Sequence, residues 1–336
     1  MRLALFVPAP FATISGGYRY DQQIVAGLRA LGHDVDVNEL DGDDARAAAA
    51  AWSALDASVL PVIDGLALPA FAALGEALAG RAIGLIHHPL SREDGLAAED
   101  HARLRAIEAA LLPRLARVIT TSATTAEQLA ADFAVPAAAL RVVRPGTAPA
   151  PRSRGSAGPG CAVLSVGALV PRKGHDVLLH ALARLNDLDW TLTIVGSADR
   201  DRAHAAMLAA LIAELGLASQ VRLAGEIGAD ALETLWQGAD LFALATRWEG
   251  YGMAIAEALK RGLPVAITAG GAAGADLPAE AASICLPGDH VGLSKALRRM
   301  IFDLPLRRMM ADAAWHAGAA LPDWPEQVRA FAAALA

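Results

Sequence analysis

The stretch EGYGMAIAE, residues Glu249–Glu257, places two carboxylates eight positions apart around a glycine-flanked turn. It follows the apolar, strand-like run Leu241–Ala245 and opens the helical pattern Met253–Leu259. A glycine turn from a strand into a helix leaves backbone N–H groups and the positive end of the helix dipole available to an anion. Helical side chains lean toward the N-terminus, so Glu257 points back to that end while Glu249 approaches it from the loop. The pattern fits a diphosphate flanked by hydroxyl groups, although a plain tight turn with solvated carboxylates has the same appearance in sequence.

The composition is that of a well-buried, acidic globular protein. A chain of 336 residues is expected to form two domains, and 54% hydrophobic with 19% charged residues excludes a disordered chain. The net charge of −7 argues against nucleic acid as the main partner. Cys161 and Cys285 lie in strand-like runs, which favours reduced thiols and a cytoplasmic location. No run approaches the roughly 20 apolar residues of a spanning helix, and the N-terminal run stops at Pro8, so neither a transmembrane segment nor a signal peptide is expected.

Strand and helix patterns alternate along the chain, which predicts an α/β fold of two doubly wound, Rossmann-like domains. Residues 1–146 form the first domain, the Pro-, Gly- and Ser-rich residues 147–160 a linker, and residues 161–322 the second domain. Ligands of such sheets bind beyond the carboxyl ends of the strands, so a cleft lined by the loops after strands is expected between the domains. The predicted helices of the first domain are Tyr18–Leu31, Leu68–Ala79, Ala97–Leu112 and Thr124–Asp132, and its predicted strands are Leu3–Val7, Val35–Val37, Ser58–Pro61, Ala82–His87 and Val118–Thr120.

Two cations follow the first strand of the second half, at Arg172 and Lys173. They stand at the start of a predicted helix, where the helix dipole disfavours positive charge and a purely structural pattern would place acids. Cations at this point are explained if the site binds an anion, and a diphosphate carries enough charge for both. The alternative is a pair of solvated surface residues.

The loops after strands of the first half offer glycines and histidines. Gly16 and Gly17, ahead of Tyr18, allow close approach of the backbone to a ligand, or form an ordinary flexible loop. His87 and His88 end a strand, so one must face the cleft and the other the sheet, and a buried structural role is expected for one of them. A metal site is not expected, because no third ligand lies at a recognisable spacing.

Two further loops of the second half, at Gly196 and Ile227, could contact a nucleotide base through backbone atoms. The chain lacks a Ser-His-acid or Cys-His signature, a Walker loop, and a G-x-G-x-x-G motif after its first strand. The missing glycine motif argues against a nicotinamide enzyme. The sequence thus offers anion-binding elements and carboxylates but no covalent catalyst.

These motifs together resemble those of the GT-B glycosyltransferases of glycosyltransferase family 4. The family's E-x7-E motif matches Glu249–Glu257, and its phosphate-binding K-G matches Lys173-Gly174 after Arg172. Gly16-Gly17 resembles the family's glycine loop, and His87-His88 falls where the family has a histidine. The resemblance covers almost the whole chain.

The resemblance implies retaining transfer of a sugar from a nucleotide sugar to an acceptor hydroxyl, with no metal and no other cofactor. It implies catalytic roles for Glu249, His88, His87 and Lys173, with His88 preferred as the histidine that contacts the sugar. The remaining implied roles are a diphosphate site at Arg172, Lys173, Met253, Ala254 and Gly17, ribose and sugar contacts at Glu257, Glu249 and Gly252, and an acceptor side at Gly16 and Tyr18. A C-terminal helix within residues 323–336 would return to the first domain, and a monomer or weak homodimer is expected.

Several points stay open in the sequence. Ala168 stands where family members often have an arginine, which leaves the pose of the donor undecided. A front-face mechanism is one hypothesis, and a nucleotide-sugar epimerase or hydrolase using His87, His88 or Asp94 is the alternative. A catalytically silent nucleotide-sugar-binding subunit is a third reading. The acceptor and the donor's base and sugar are not encoded in any recognisable spacing.

Overall fold

The computed structural model describes residues 1–336, and the chain divides into two compact units. Residues Met1–Gly146 and Pro322–Ala336 form the first unit, and Thr147–Leu321 form the second. Each unit has one parallel sheet of six strands with helices around it. No helix in the chain combines the length and the apolar character that a membrane crossing requires.

The first unit contains six strands and five helices before the chain passes to the second. The strands are β1 (Arg2–Pro8), β2 (Asp34–Leu40), β3 (Val59–Asp64), β4 (Ile83–Ile86), β5 (Arg117–Thr120) and β6 (Leu140–Val142). The helices are α1 (Gly16–Ala30), α2 (Ala45–Ser53), α3 (Gly75–Leu78), α4 (Ala98–Leu111) and α5 (Ala123–Phe133). Short 3-10 helices occupy Gly65–Leu74, Leu90–Arg92, Leu112–Arg114 and Ala137–Ala139.

The sheet of the first unit has the order β2-β1-β3-β4-β5-β6, and every pair in it is parallel. Strand order reverses between β1 and β3, since the chain moves from β1 outward to β2 and then returns to the other side. In doubly wound sheets a crevice opens at the carboxyl ends of the strands at such a switch point. The loop that leads into α1 and the end of β3 therefore border the crevice of this unit.

The second unit contains β7 (Cys161–Val166), β8 (Trp190–Val195), β9 (Val221–Gly225), β10 (Leu241–Leu244), β11 (Val265–Thr268) and β12 (Ala282–Cys285). Its helices are α6 (His175–Leu182), α7 (Arg202–Glu214), α8 (Ala229–Gly238), α9 (Met253–Lys260), α10 (His290–Phe302) and α11 (Leu304–Ala319), with a 3-10 turn at Pro171–Lys173. The parallel order β12-β11-β10-β7-β8-β9 puts the switch point between β7 and β10. The loops after these two strands therefore border the crevice of the second unit.

Apolar residues on both faces of the sheet bury it in the second unit. Along β10, Leu241 and Ala243 pack into one core cluster while Phe242 and Leu244 pack into the other, as the alternation of side chains along a strand requires. All four residues are fully buried. A strand buried on both faces reads as an unbroken apolar run, which is why β10 is recognisable in the sequence.

The last helix, α12 (Trp324–Leu335), belongs to the first unit and packs against α1. A Cβ atom on Gly27 of α1 would lie 2.3 Å from Val328 Cγ2, so this glycine allows the two helices to approach closely. Phe331 is 2% exposed and lies edge-on to Tyr20, with ring centroids 6.5 Å apart. The helix thus closes the apolar face of α1.

Three features differ from the sequence-based expectations. The sequence predicts one helix over Leu68–Ala79, whereas the structure has a 3-10 helix at Gly65–Leu74 followed by the short α3. Pro69 lies inside the 3-10 helix, and a proline cannot donate the backbone hydrogen bond that a regular α-helix needs at that position. Helix α2, capped by the Asp44 side chain, has no counterpart among the predicted elements. Residues 147–160 lie along the second unit, where Ser153 N–H donates to Arg261 O at 2.9 Å and its hydroxyl to Ala239 O at 2.8 Å.

Candidate functional site

The loops after β7 and β10 bring two cations and one carboxylate together at the switch point of the second unit. The ammonium of Lys173 donates to Glu249 Oε1, and Arg172 Nη1 lies 3.6 Å from Glu249 Oε2. Arg172 also donates to the backbone oxygen of Trp248 at 2.9 Å. The motif pair that the sequence singled out, 76 positions apart, is therefore one cluster in space.

Backbone and side-chain hydrogen bonds hold these loops against each other. Arg247 N–H donates to Arg172 O at 2.8 Å, and Thr246 Oγ1 lies 3.2 Å from Glu249 Oε1. Gly174 has a φ of +62°, and a Cβ atom there would lie 1.8 Å from Ala245 O. Only glycine meets both conditions, so Gly174 lets the loop of Lys173 approach the end of β10.

Glu249 is ionised at neutral pH although it is 6% exposed. Burial raises the pKa of this carboxyl, but the charges of Lys173 and Arg172 and the hydrogen bonds of Lys173 and Thr246 outweigh burial and hold the pKa below its usual value. The side chains of Lys173 and Arg172 keep 17% and 16% of their surface exposed. Both cations therefore keep part of their surface accessible to an anion.

The N-terminus of α9 begins directly after this cluster. Gly252, with a φ of +96°, is the N-cap residue and supplies no capping side chain. The first N–H groups of a helix have no acceptor inside the helix, so those of Met253 and Ala254 remain donors for an anion. Glu257 lies in the second turn and is partly exposed, as the sequence predicted for a carboxylate near that end.

The two residues predicted to contact the base of the donor differ in their packing. Gly196 packs tightly, because a Cβ atom there would lie 1.9 Å from Gly167 O. Ile227 is partly buried and packs against the hydrophobic core beside β10. Their predicted contacts to a base stay predictions. Ala168 lies next to Gly167 in the loop after β7 and is partly buried.

Sequence reasoning missed three supporting residues of the second unit. Arg247 pairs with Asp176, Nη2 to Oδ2 at 2.7 Å, which ties the end of β10 to the first turn of α6. His175 is fully buried, with Nε2 3.3 Å from Gly167 O, and burial lowers its pKa to about 4, so it is neutral. The sequence did contain a sign of the structural role of Asp176. It follows Lys173-Gly174 in the first turn of α6, where the helix dipole stabilises a negative charge.

In the first unit His87 lies between two buried aspartates at the switch point. Its Nε2 is 3.0 Å from Asp21 Oδ1 and 3.3 Å from Asp64 Oδ2. Burial alone would lower the pKa of His87, but the charges and hydrogen bonds of Asp21 and Asp64 outweigh it and raise the pKa to about 10. Gly17, in the first turn of α1, lies beside the ring, and a Cβ atom there would be 3.2 Å from His87 Cδ2. Neither aspartate was singled out from the sequence, since Asp21, Asp64 and His87 come from separate elements.

The remaining candidates of the first unit lie elsewhere in it. His88 Nε2 is 2.8 Å from Glu93 Oε2, and Asp94 is exposed. Tyr18 is buried, and its hydroxyl donates to Pro8 O at 3.0 Å, which ties α1 to the end of β1. Gly16 is exposed as the first residue of α1.

The side chains of Asp21, Asp64 and His87 lie close enough together to hold a metal ion, although the sequence predicted no metal site. That expectation rested on the lack of a third ligand at a recognisable spacing, yet the ring nitrogen and the two carboxylates lie within 4.8 Å of one another. Spacing along the chain could not show this, because the groups lie on α1, β3 and the loop after β4. Both ring-to-carboxylate distances are those of hydrogen bonds, so a proton on the ring accounts for the arrangement.

Known proteins resemble this chain in sequence and in fold. Residues 151–316 match the family model of glycosyl transferases group 1. The chain is 29% identical over 248 residues to the MMP alpha-(1->4)-mannosyltransferase of Mycolicibacterium hassiacum, a match covering 68% of this chain and 58% of that protein. It is 31% identical over 163 residues to a D-inositol 3-phosphate glycosyltransferase of Salinispora tropica, covering 46% and 34%. The matches thus span from about a third to somewhat over half of these curated relatives.

Among solved structures, sucrose-phosphate synthase from Thermosynechococcus elongatus aligns with a TM-score of 0.82 at 18% identity, over 99% of this chain and 97% of that one. At that identity the match shows a shared fold. Residues 151–316 thus match the glycosyl transferases group 1 model, and the fold of the chain is that of the GT-B glycosyltransferases.

Proposed function

We propose that this protein is a retaining glycosyltransferase that moves a sugar from a nucleoside diphosphate sugar to an acceptor hydroxyl. The observation that carries the proposal is the convergence of Arg172 and Lys173 on Glu249 beside the uncapped N-terminus of α9. This arrangement offers positive charge, backbone donors and a carboxylate within one loop cluster. The match of residues 151–316 to the model of glycosyl transferases group 1 supports the same conclusion.

The diphosphate of the donor is the anion that this cluster would hold. Arg172 and Lys173 supply two charges, and the N–H groups of Met253 and Ala254 add donors aligned with the helix dipole. Glu249 neutralises one of those charges and holds both cations in place before the donor arrives. After binding, Glu249 can accept hydrogen bonds from hydroxyls of the transferred sugar, and Glu257 from those of the ribose.

The chemistry follows from where charge develops. As the bond between the anomeric carbon and the phosphate oxygen breaks, negative charge grows on the leaving diphosphate. Preorganised donors stabilise that charge, and one such donor is typically worth about 10²–10³ in rate. In the proposed front-face mechanism, the acceptor oxygen bonds to the anomeric carbon on the side that the phosphate leaves. The departing phosphate oxygen takes the acceptor's proton, so the anomeric configuration is retained and no metal is needed to neutralise the leaving group.

We propose hexoses as the transferred sugars, in keeping with the name of the mannosyltransferase relative. The base of the donor and the acceptor are to be found by screening. A melting-temperature screen of UDP-, GDP- and ADP-linked glucose and mannose identifies the donor, since a ligand that binds only the folded state raises the melting temperature.

The reaction class is then tested with the donor so identified. Product formed with small alcohols or sugars as acceptors should show, by NMR coupling constants, the anomeric configuration of the donor, with activity unchanged by EDTA. Inverted product would contradict the front-face mechanism. Rapid, stoichiometric hydrolysis or epimer formation without acceptor would instead favour a hydrolase or epimerase.

A further inference from the structure

The group formed by Asp21, Asp64 and His87, hereafter the His87 cluster, has no part in the donor-binding loops described above. It lies near the switch point of the first unit, with Asp21 on α1, Asp64 at the end of β3 and His87 directly after β4. The aspartate side chains are 2% and 3% exposed, whereas the side chain of His87 is 15% exposed. The ring thus has one edge against buried carboxylates and keeps part of its surface exposed.

We propose that Asp21 and Asp64 are positioning residues that hold His87 as a fixed imidazolium, so that its Nδ1–H donates a hydrogen bond to an oxygen atom of the substrate. This inference rests on the proposed function, and it assigns the substrate-facing role in the first unit to His87, where the sequence favoured His88. It also excludes His87 as a general base, because an imidazolium has no lone pair to accept a proton.

The contacts of the His87 cluster fix the ring from several sides. Asp64 is held by the N–H of Leu66, which donates to its Oδ1 at 2.7 Å. Tyr20 lies edge-on to the imidazole with ring centroids 5.2 Å apart, and its own hydroxyl donates to Val143 O at 3.0 Å. The rotation of the ring is therefore set by buried neighbours and does not wait for a substrate.

Charge balance decides the protonation state. The groups that face His87 are Asp21 and Tyr20 from α1, Asp64 from β3, and the Thr121 hydroxyl, which lies 3.5 Å from His87 O. None of these is a cation, and no lysine or arginine pairs with either aspartate. Two buried carboxylates without a positive partner are strongly destabilising, so the ring carries one compensating proton. Burial and the charge of Asp64 also raise the pKa of Asp21 to about 7, against the opposing charge of His87.

The free edge of the ring defines the ligand chemistry. With Nε2–H directed at the carboxylates, the remaining donor is Nδ1–H, and no hydrogen bond within the protein uses that atom. A charged N–H donor suits a hydroxyl or phosphate oxygen and forms a stronger hydrogen bond than a neutral donor. The crevice at a switch point is where doubly wound units bind ligands, which places this donor next to bound substrate.

The ring's protonation can be followed directly by NMR of the full-length protein, with ¹⁵N-labelled histidine and the His87 signals assigned from the spectrum of His87→Gln. In the wild type we expect the His87 signals to stay those of an imidazolium up to at least pH 9. Asn in place of Asp21 or Asp64 keeps the shape but removes a charge, so the midpoint should fall by about 1–3 pH units in each variant. The control Glu93→Gln, which alters the partner of His88, should leave the His87 midpoint unchanged.

A wild-type His87 that titrates near pH 6.5, or a midpoint that neither asparagine variant moves, would overturn the proposal. So would His87 signals that MnCl₂ broadens at micromolar concentration, since they would show a metal in place of the proton. These readouts need no turnover, so they stand even if the proposed transferase activity is not found. If the transferase activity is found, Asp21→Asn should lose activity as the pH rises from 6 to 9 and recover it when the pH is returned to 6. The wild type should keep its activity over this range. An equal loss of activity in Asp21→Asn at every pH would point to a merely structural role.

Discussion

Replacing Glu249 by glutamine removes the carboxylate on which the two cations of the second unit converge, while its size and shape are kept. The structure predicts a loss of stability as well as a loss of activity. Lys173 and Arg172 both lie against this carboxylate, and the variant removes its charge from both. A glutamine side chain can still accept a hydrogen bond from Lys173 but cannot balance the charge.

The size of the effect follows from burial. Removing one partner of a fully buried ion pair typically costs about 3–5 kcal/mol. Because 16–17% of each cation's side chain remains exposed, water can solvate part of the freed charge. We therefore expect a loss of about 2–3 kcal/mol, less than for a fully buried pair. At about 2–4 °C per kcal/mol for a unit of this size, the melting temperature should fall by about 4–12 °C.

The pH dependence of this difference is a separate check. The pKa of Glu249 in the folded protein lies below its ordinary value of 4.5, so the carboxylate's contribution is fully present above about pH 4.5. It is lost as the pH falls through the lower folded value. Melting curves of the wild type and Glu249→Gln should therefore differ by the same amount from pH 6 to 8 and converge only in acid.

The matched control is Glu280→Gln, an exposed glutamate of the same unit, which should melt within about 0.5 kcal/mol of the wild type. Equal melting of Glu249→Gln and the wild type at pH 7 would refute the reasoning, because it would mean that the carboxylate does not hold the two cations. A difference that grew as the pH fell would contradict the sign of the pKa shift.

Three more outcomes follow from single contacts. Gly174→Ala should abolish folding of the second unit or lower its stability by more than about 3 kcal/mol, seen as loss of the cooperative melting transition, because its Cβ atom would overlap Ala245 O and φ is positive. Phe331→Ala should lower the free energy of unfolding in urea by about 3–5 kcal/mol, and truncation after Leu321 should lower it by at least as much, because α12 covers α1. Normal melting of either variant would contradict this. Cys161 should resist labelling by a thiol reagent at pH 8 in the native state and react after unfolding, because burial raises its pKa to about 12; rapid native labelling would refute its burial.

Much of the fold and half of the candidate site could be predicted from the sequence. Strands such as β10 are buried on both faces and appear as unbroken apolar runs, so the alternation of the two Rossmann-like halves is visible along the chain. Lys173 and Glu249 were recognisable because local physics makes their surroundings unusual: cations at a helix start, and a glycine turn between two acids. Both signals lie within a few neighbouring residues.

The His87 cluster shows what local sequence does not contain. Asp21 lies in the middle of a helix, where an acid is an ordinary surface residue, and Asp64 ends a strand ahead of a 3-10 turn that it caps. The two aspartates contact His87 only because the strand order of the sheet brings β3, β4 and α1 together at the switch point. For the same reason the choice between His87 and His88 could not be made from their order in the chain, because it depends on which ring meets the two aspartates.

The most direct test of the central claim is calorimetric titration of UDP, GDP and ADP into the wild type, Lys173→Ala and the control Lys295→Ala, whose lysine is exposed on α10. At least one nucleoside diphosphate should bind the wild type and Lys295→Ala equally. Removing the ammonium of Lys173, which makes a charge-assisted contact worth about 1.5–3 kcal/mol, should weaken that binding by about 10- to 150-fold. Equal affinity for Lys173→Ala and the wild type, or no binding of any of the three nucleotides, would contradict it.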